Sequence, residues 1–121
     1  MVETLILRGA FAWGVLLSLA SCNRARQKEC EAFLSAMGPL DQGTPTVDVV
    51  GRTREAIDAI QFEDQPLREY ARSTKATLTV LSNTLALKDS PSRPDGTDDV
   101  IKANLKEART AKDDVLRYCS Q

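Results

Sequence analysis

Asp64-Gln65-Pro66-Leu67-Arg68-Glu69-Tyr70-Ala71 is the stretch on which the fold turns, because Pro66 either opens a new helix or breaks an old one. Inside a helix its ring would clash with the carbonyl of Phe62 and remove a hydrogen bond. At the first turn of a helix the missing N–H costs nothing, and Asp64 or Gln65 stands ready as the cap. A new helix from Pro66 places Leu67, Tyr70, Ala71, Thr74, Leu78, Leu81 and Leu85 on one long face down to about Lys88. The alternative is three helices with one long middle helix, Val47 to Lys88, kinked at Pro66. Thr77-Leu78-Thr79-Val80 alternates as a strand would, but with no partner strand evident it reads as helix.

Upstream, Gly43-Thr44-Pro45-Thr46 makes a loop, after which Val47, Val50, Ile57 and Ile60 share a face of a helix ending near Gln61. Before that loop, Cys30, Phe33, Leu34 and Met37 recur at i, i+3, i+4 and i+7. They predict a short helix from Arg24 to Met37, stopped by Gly38-Pro39. Downstream, Ser90-Pro91-Ser92-Arg93-Pro94-Asp95-Gly96 is a loop, and Thr97 is the expected cap of a last helix. Asp98 and Asp99 in its first turn suit the macrodipole. Ile101, Leu105, Ala108, Lys112, Val115 and Cys119 follow a 4-3-4-3-4 spacing, so that seam carries one lysine. Four amphipathic helices with short connections predict an all-α fold, a small up-down-up-down four-helix bundle. Its geometry puts the start of the first helix and the end of the last at one end, with Gly38 to Thr46 and Ser90 to Gly96 at the other.

The chain has 121 residues, a net charge of −1 and no histidine. Without histidine, Ser-His-Asp and Cys-His catalytic sites are excluded. The paired carboxylates Glu63-Asp64, Asp98-Asp99 and Asp113-Asp114 are neighbours in sequence, so on a helix they point about 100° apart and read as caps and solvated faces. There is no phosphate-binding glycine loop, EF-hand loop or CxxCH haem site, and the cysteines lack the close spacing of a zinc site. Balanced charge, no basic stripe and few aromatics give nucleic-acid binding no support. The expectation is a non-catalytic protein without metal or cofactor. The Thr and Ser residues from Ser73 to Thr84 line the less apolar side of the third helix, either as a solvated face or as an adaptable contact surface.

Ahead of the bundle, Arg8 precedes an apolar run from Gly9 that closes on Leu19-Ala20-Ser21-Cys22. The uncharged stretch Gly9 to Asn23 is shorter than the ~20 residues a membrane-spanning helix needs. It is also apolar all round, with no polar face to present to water. In order and spacing Leu19-Ala20-Ser21-Cys22 resembles the lipobox of bacterial lipoproteins. The resemblance implies cleavage after Ser21, diacylglycerol on the Cys22 sulfur and a further acyl chain, such as palmitate, on its new amino group. Residues 1–21 are then a signal peptide, and residues 22–121 a domain held at the membrane through Cys22. The expected location is the bacterial cell envelope, facing the periplasm or the exterior. Asn23 after the cysteine, where an Asp would favour inner-membrane retention, leans towards the outer membrane. Arg24, Arg26 and Lys28 lie where they would meet headgroups or form a solvated tether.

Three cysteines in an exported chain leave an odd one. If Cys22 carries lipid, Cys30 and Cys119 remain as an even pair in a compartment where disulfides persist. Both fall on apolar seams at the same end of the predicted bundle, so a Cys30–Cys119 bridge is expected. The function expected is an interaction or structural module with an unidentified protein partner. The alternative is a bundle that binds a small ligand or lipid between its helices.

Overall fold

A computed structural model describes residues 24–121 of the chain. Leu19, Ala20, Ser21 and Cys22, with the cleavage and lipidation expected there, lie outside the described residues.

The described residues form a small up-down-up-down helical bundle, with no strand among them. Residues 24–37 are helical (α1) and lead into a 3-10 turn, Gly38–Asp41. α2 follows at Val47–Asp58, α3 at Gln65–Lys88 and α4 at Thr97–Cys119. The break at residues 59–64 separates α2 from α3 and removes the kinked-helix alternative. Pro66 stands in the first turn of α3, and the Asp64 carboxylate accepts the Leu67 amide at 3.2 Å, the capping bond the sequence calls for.

The core is a single cluster. Cys30, Phe33 and Met37 enter it from α1, Leu40 from the 3-10 turn, Val50 and Ile57 from α2. Leu67, Ala71, Leu78, Leu81 and Leu85 enter from α3, and Ile101, Leu105, Ala108 and Val115 from α4. Burying each large aliphatic side chain contributes about 1.5–3 kcal/mol against leaving it in water. The predicted α3 face is thus the buried face, with Thr74 completing it and Tyr70 at its margin.

Three details differ from the sequence reading. First, α2 ends at Asp58 rather than near Gln61. The Ala59 and Ile60 amides bond back to Glu55 and Ile57, after which the backbone leaves the helix and Phe62 packs on Phe33 with centroids 6.1 Å apart. Second, Val47 is 43% exposed, and Thr53 takes the inward place. At 100° per residue Val50, Thr53 and Ile57 form one stripe, and Val47 lies roughly 100° from its centre.

Third, the cap of α4 is Gly96, not Thr97. Gly96 adopts φ 85°, a left-handed conformation that glycine takes without steric cost, while the Thr97 hydroxyl donates back to the Pro94 carbonyl at 2.6 Å. The α1–α2 connection is tied to α4 by one side chain. Arg109 donates to the carbonyls of Leu40, at 3.0 and 3.1 Å, and Gly43, at 2.8 Å. α2 runs antiparallel to α3 with Asp58 against Lys75, so Val47, about 16 Å further along, reaches the last turn of α3, the end that carries Ser90 to Gly96.

Candidate functional site

Three elements converge at the end of the bundle where α1 begins. These are the first turns of α1, the 59–64 connection and the last turn of α4, and they carry the densest polar network of the described residues. Cys30 and Cys119 are joined there by a disulfide, 89 residues apart in sequence and 6.0 Å apart at Cα. Cys30 is buried and Cys119 half-buried against the core. The bridge thus clasps the first described helix to the last.

Around it the side chains interlock. One Glu29 oxygen accepts the backbone N–H groups of Glu63 and Asp64, holding the connection against α1. The Asp64 carboxylate, already capping α3, also accepts the Tyr118 hydroxyl at 2.7 Å. The Tyr118 ring lies 6.0 Å from that of Tyr70, and the Arg26 guanidinium sits 5.5 Å above it, within cation–π range. Arg26 also donates to the Gln121 carbonyl at 3.0 Å.

Burial, the hydrogen bond to Asp64 and that carboxylate's negative charge push the Tyr118 hydroxyl above its ordinary value of 10, with Arg26 pulling the other way. At neutral pH the phenol is therefore protonated and serves as a donor, not as a base. A shallow groove of about 270 Å³ opens beside the cluster, lined by Ala25, Arg26, Glu29, Glu63 and Asp64.

This network fixes geometry. One oxygen of Glu29 accepts two backbone amides, one oxygen of Asp64 accepts an amide and the Tyr118 phenol, and the cysteines are bonded to each other. Among the described residues no group of three or more Cys, Asp or Glu is gathered where an ion could sit, and no helix is long and apolar enough to cross a membrane. A larger groove of about 350 Å³ runs between α1 and α2, lined by Ser35, Ala36, Pro39, Val49, Arg52, Thr53 and Ala56. It is an open surface depression.

Of the residues singled out from sequence, the structure brings Cys30 and Cys119 together. Asp64 was legible as a cap. Its second role, with Tyr118, Arg26 and Glu29, was not, since those partners lie 35 or more residues away and no local pattern joins them. Lys112, the lone lysine on the α4 seam, is explained by an ion pair with Asp41 of the 3-10 turn. No protein-family model, curated protein or solved structure matches this chain.

Proposed function

We propose that this chain is an exported bacterial lipoprotein, held at the envelope membrane through lipid on Cys22. Its disulfide-clasped bundle is a non-catalytic interaction or structural module presented to a protein partner. The observation that carries the reading is the cysteine pairing. Cys30 and Cys119 consume each other, leaving Cys22 as the odd thiol at the end of an apolar run in the motif Leu19-Ala20-Ser21-Cys22. A disulfide of this kind belongs to an oxidising compartment, which a signal sequence would reach. Two or more acyl chains, at about 0.8 kcal/mol per buried methylene, make such an anchor stable where one chain is marginal.

The geometry suits that role. Cys22 is two positions ahead of Arg24, the first described residue of α1, so a lipid on it would belong to the end of the bundle that carries the disulfide and the polar clasp. The membrane-facing end is then the rigid one, and the α3–α4 hairpin points away from the surface. Asn23 after the lipidated cysteine favours the outer membrane.

Intact mass of the protein recovered from membranes tests the reading. The expected species lacks residues 1–21 and carries the mass of diacylglycerol plus an acyl chain, whereas Cys22→Ser leaves an unlipidated chain outside the membrane fraction or an uncleaved one. An unprocessed, unmodified wild-type chain overturns the proposal.

A further inference from the structure

In a bundle of this size a helix needs one apolar face, and α3 carries a second, uncharged one. Opposite its buried stripe, Ser73, Ala76, Val80, Asn83 and Leu87 follow a 3-4-3-4 spacing, the repeat that keeps a seam aligned along a helix pair. All five are exposed, Val80 by 50% and Leu87 by 45%. The rows flanking this seam are threonines whose hydroxyls are turned inward. Thr77, Thr79 and Thr84 donate to the carbonyls of Ser73, Lys75 and Val80, at 3.2, 3.0 and 2.8 Å. With the hydroxyls satisfied by the helix itself, no outside partner is needed for them.

From Ser73 to Leu87 the one charged residue is Lys75, which leans towards α2 and pairs with Asp58 at 2.8 Å. The outward faces of the neighbouring helices also expose apolar residues, Val47 on α2 and Val100 and Leu116 on α4, but set them among charges, with Asp48, Arg52 and Arg54 on α2 and Lys102, Lys106 and Glu107 on α4. A charged surface laid on the α3 seam would lose its hydration without gaining a partner. The neutral seam is itself the complement the molecule offers.

We infer that this outer face of α3 is a homodimer interface, taken by the same face of a second copy in parallel and in register. Two copies anchored in one leaflet stand the same way up, so their two-fold axis lies along the membrane normal and α3 runs parallel to its mate. In such a pair every seam residue meets its own copy. Any charge on the seam would meet its like, and the seam carries none. Ser73 and Ala76 permit close approach of the backbones. Asn83 is the lone amide of the seam, the kind of residue that fixes register in helix pairs.

A seam of five residues is about 21 Å long and one helix wide, and it falls short of the ~800 Å² per partner of a standard interface. The pairing is therefore weak in dilute solution and becomes substantial where anchoring raises the local concentration. In its strength and in the parallel orientation of the two copies, the inference rests on the proposed anchor.

The full chain is expressed in bacteria with Val80→Cys, Leu87→Cys or, as control, Arg54→Cys, and isolated membranes are treated with a short bis-maleimide. The native cysteines are lipidated or bonded, so the introduced thiol is the one that reacts. Covalent dimer is expected at positions 80 and 87 and not at 54, and Val80→Glu in the Leu87→Cys chain should lower its yield at least tenfold. Crosslinking at 80 alone would mean antiparallel pairing, and an adduct of another mass a different partner; either overturns the inference, as does absence of dimer in a chain shown to be lipidated. If the chain proves unlipidated, sedimentation of the purified chain at millimolar concentration decides. A dimer abolished by Val80→Glu upholds the seam while the anchor reading falls, and a monomer overturns the seam.

Discussion

Opening the Cys30–Cys119 bridge should cost this domain a large part of its stability. The bond closes a loop of 89 residues. The chain-entropy relation for such a loop gives about 4 to 5 kcal/mol at 25 °C, acting through the denatured ensemble. A domain of this size is stable by about 5–15 kcal/mol in total, so the reduced form sits between marginal and moderately stable. The structure describes residues 24–121. At about 2.1 cal/mol/K per residue their unfolding entropy is near 0.2 kcal/mol/K, and the same loss corresponds to a melting temperature roughly 20 °C lower. Urea titrations of oxidised and reduced protein, followed by far-UV circular dichroism, compare the states without changing side-chain volume. The midpoint should fall on reduction. The slope m should rise, because an uncrosslinked denatured chain exposes more surface. A loss below about 1 kcal/mol with unchanged m would refute the reasoning, since the ends would then be confined equally well without the bond.

Arg109→Met should destabilise by about 1–3 kcal/mol in the same titration, because it strips the donors from the Leu40 and Gly43 carbonyls. An unchanged midpoint would mean that water replaces the guanidinium there. For Tyr118 the sign follows from its raised value: the unfolded chain loses this proton near pH 10 while the folded chain keeps it, so stability falls as pH rises beyond about 10. Tyr118→Phe should flatten that alkaline decline, and Asp64→Ala should shift the tyrosine absorbance titration down while costing about 1 kcal/mol of helix capping. Lys112→Met should leave stability within about 1 kcal/mol of wild type or raise it, because an apolar seam gains an apolar residue and the cost of desolvating Lys112 offsets much of what its half-exposed ion pair with Asp41 contributes. A loss above about 2 kcal/mol would refute this.

Legibility in the sequence followed the range of the interactions. On α3 the stripe from Leu67 to Leu85 was readable because helical period and burial coincide there, and Pro66 with Asp64 supplied an unambiguous start. On α2 the stripe was misassigned by one position. Thr53 is polar, so apolar counting passed over it in favour of Val47. Leu40 was missed although it extends the Cys30-Phe33-Met37 row by three more residues, because Gly38-Pro39 was read as the end of regular structure. A 3-10 turn can carry a stripe past such a stop. Thr97 resembled a cap by residue type, but a left-handed glycine and a hydroxyl turned back to Pro94 took the position.

The unequal helix lengths connect the clasp to the outer seam. α2 spans 12 residues, whereas α3 and α4 span 24 and 23, so α2 runs beside α3 along only part of its length. α2 lies to one side of α3, where Asp58 meets Lys75, and α4 lies to the other, where Asn104 meets Thr84. Neither neighbour crosses the face that carries Val80 and Leu87. A fully developed bundle would not cover that face either, because it points directly away from the core. Apolar residues placed there add nothing to folding of the single chain and raise its tendency to associate. The same helix therefore supplies the central stripe of the core and the one neutral outward seam. Substitutions should divide accordingly: Leu78→Ala acts on stability by about 2–5 kcal/mol, while Val80→Glu leaves stability nearly unchanged and acts on assembly. Equal destabilisation by the two would mean that Val80 serves the fold, and the seam would lose its separate purpose.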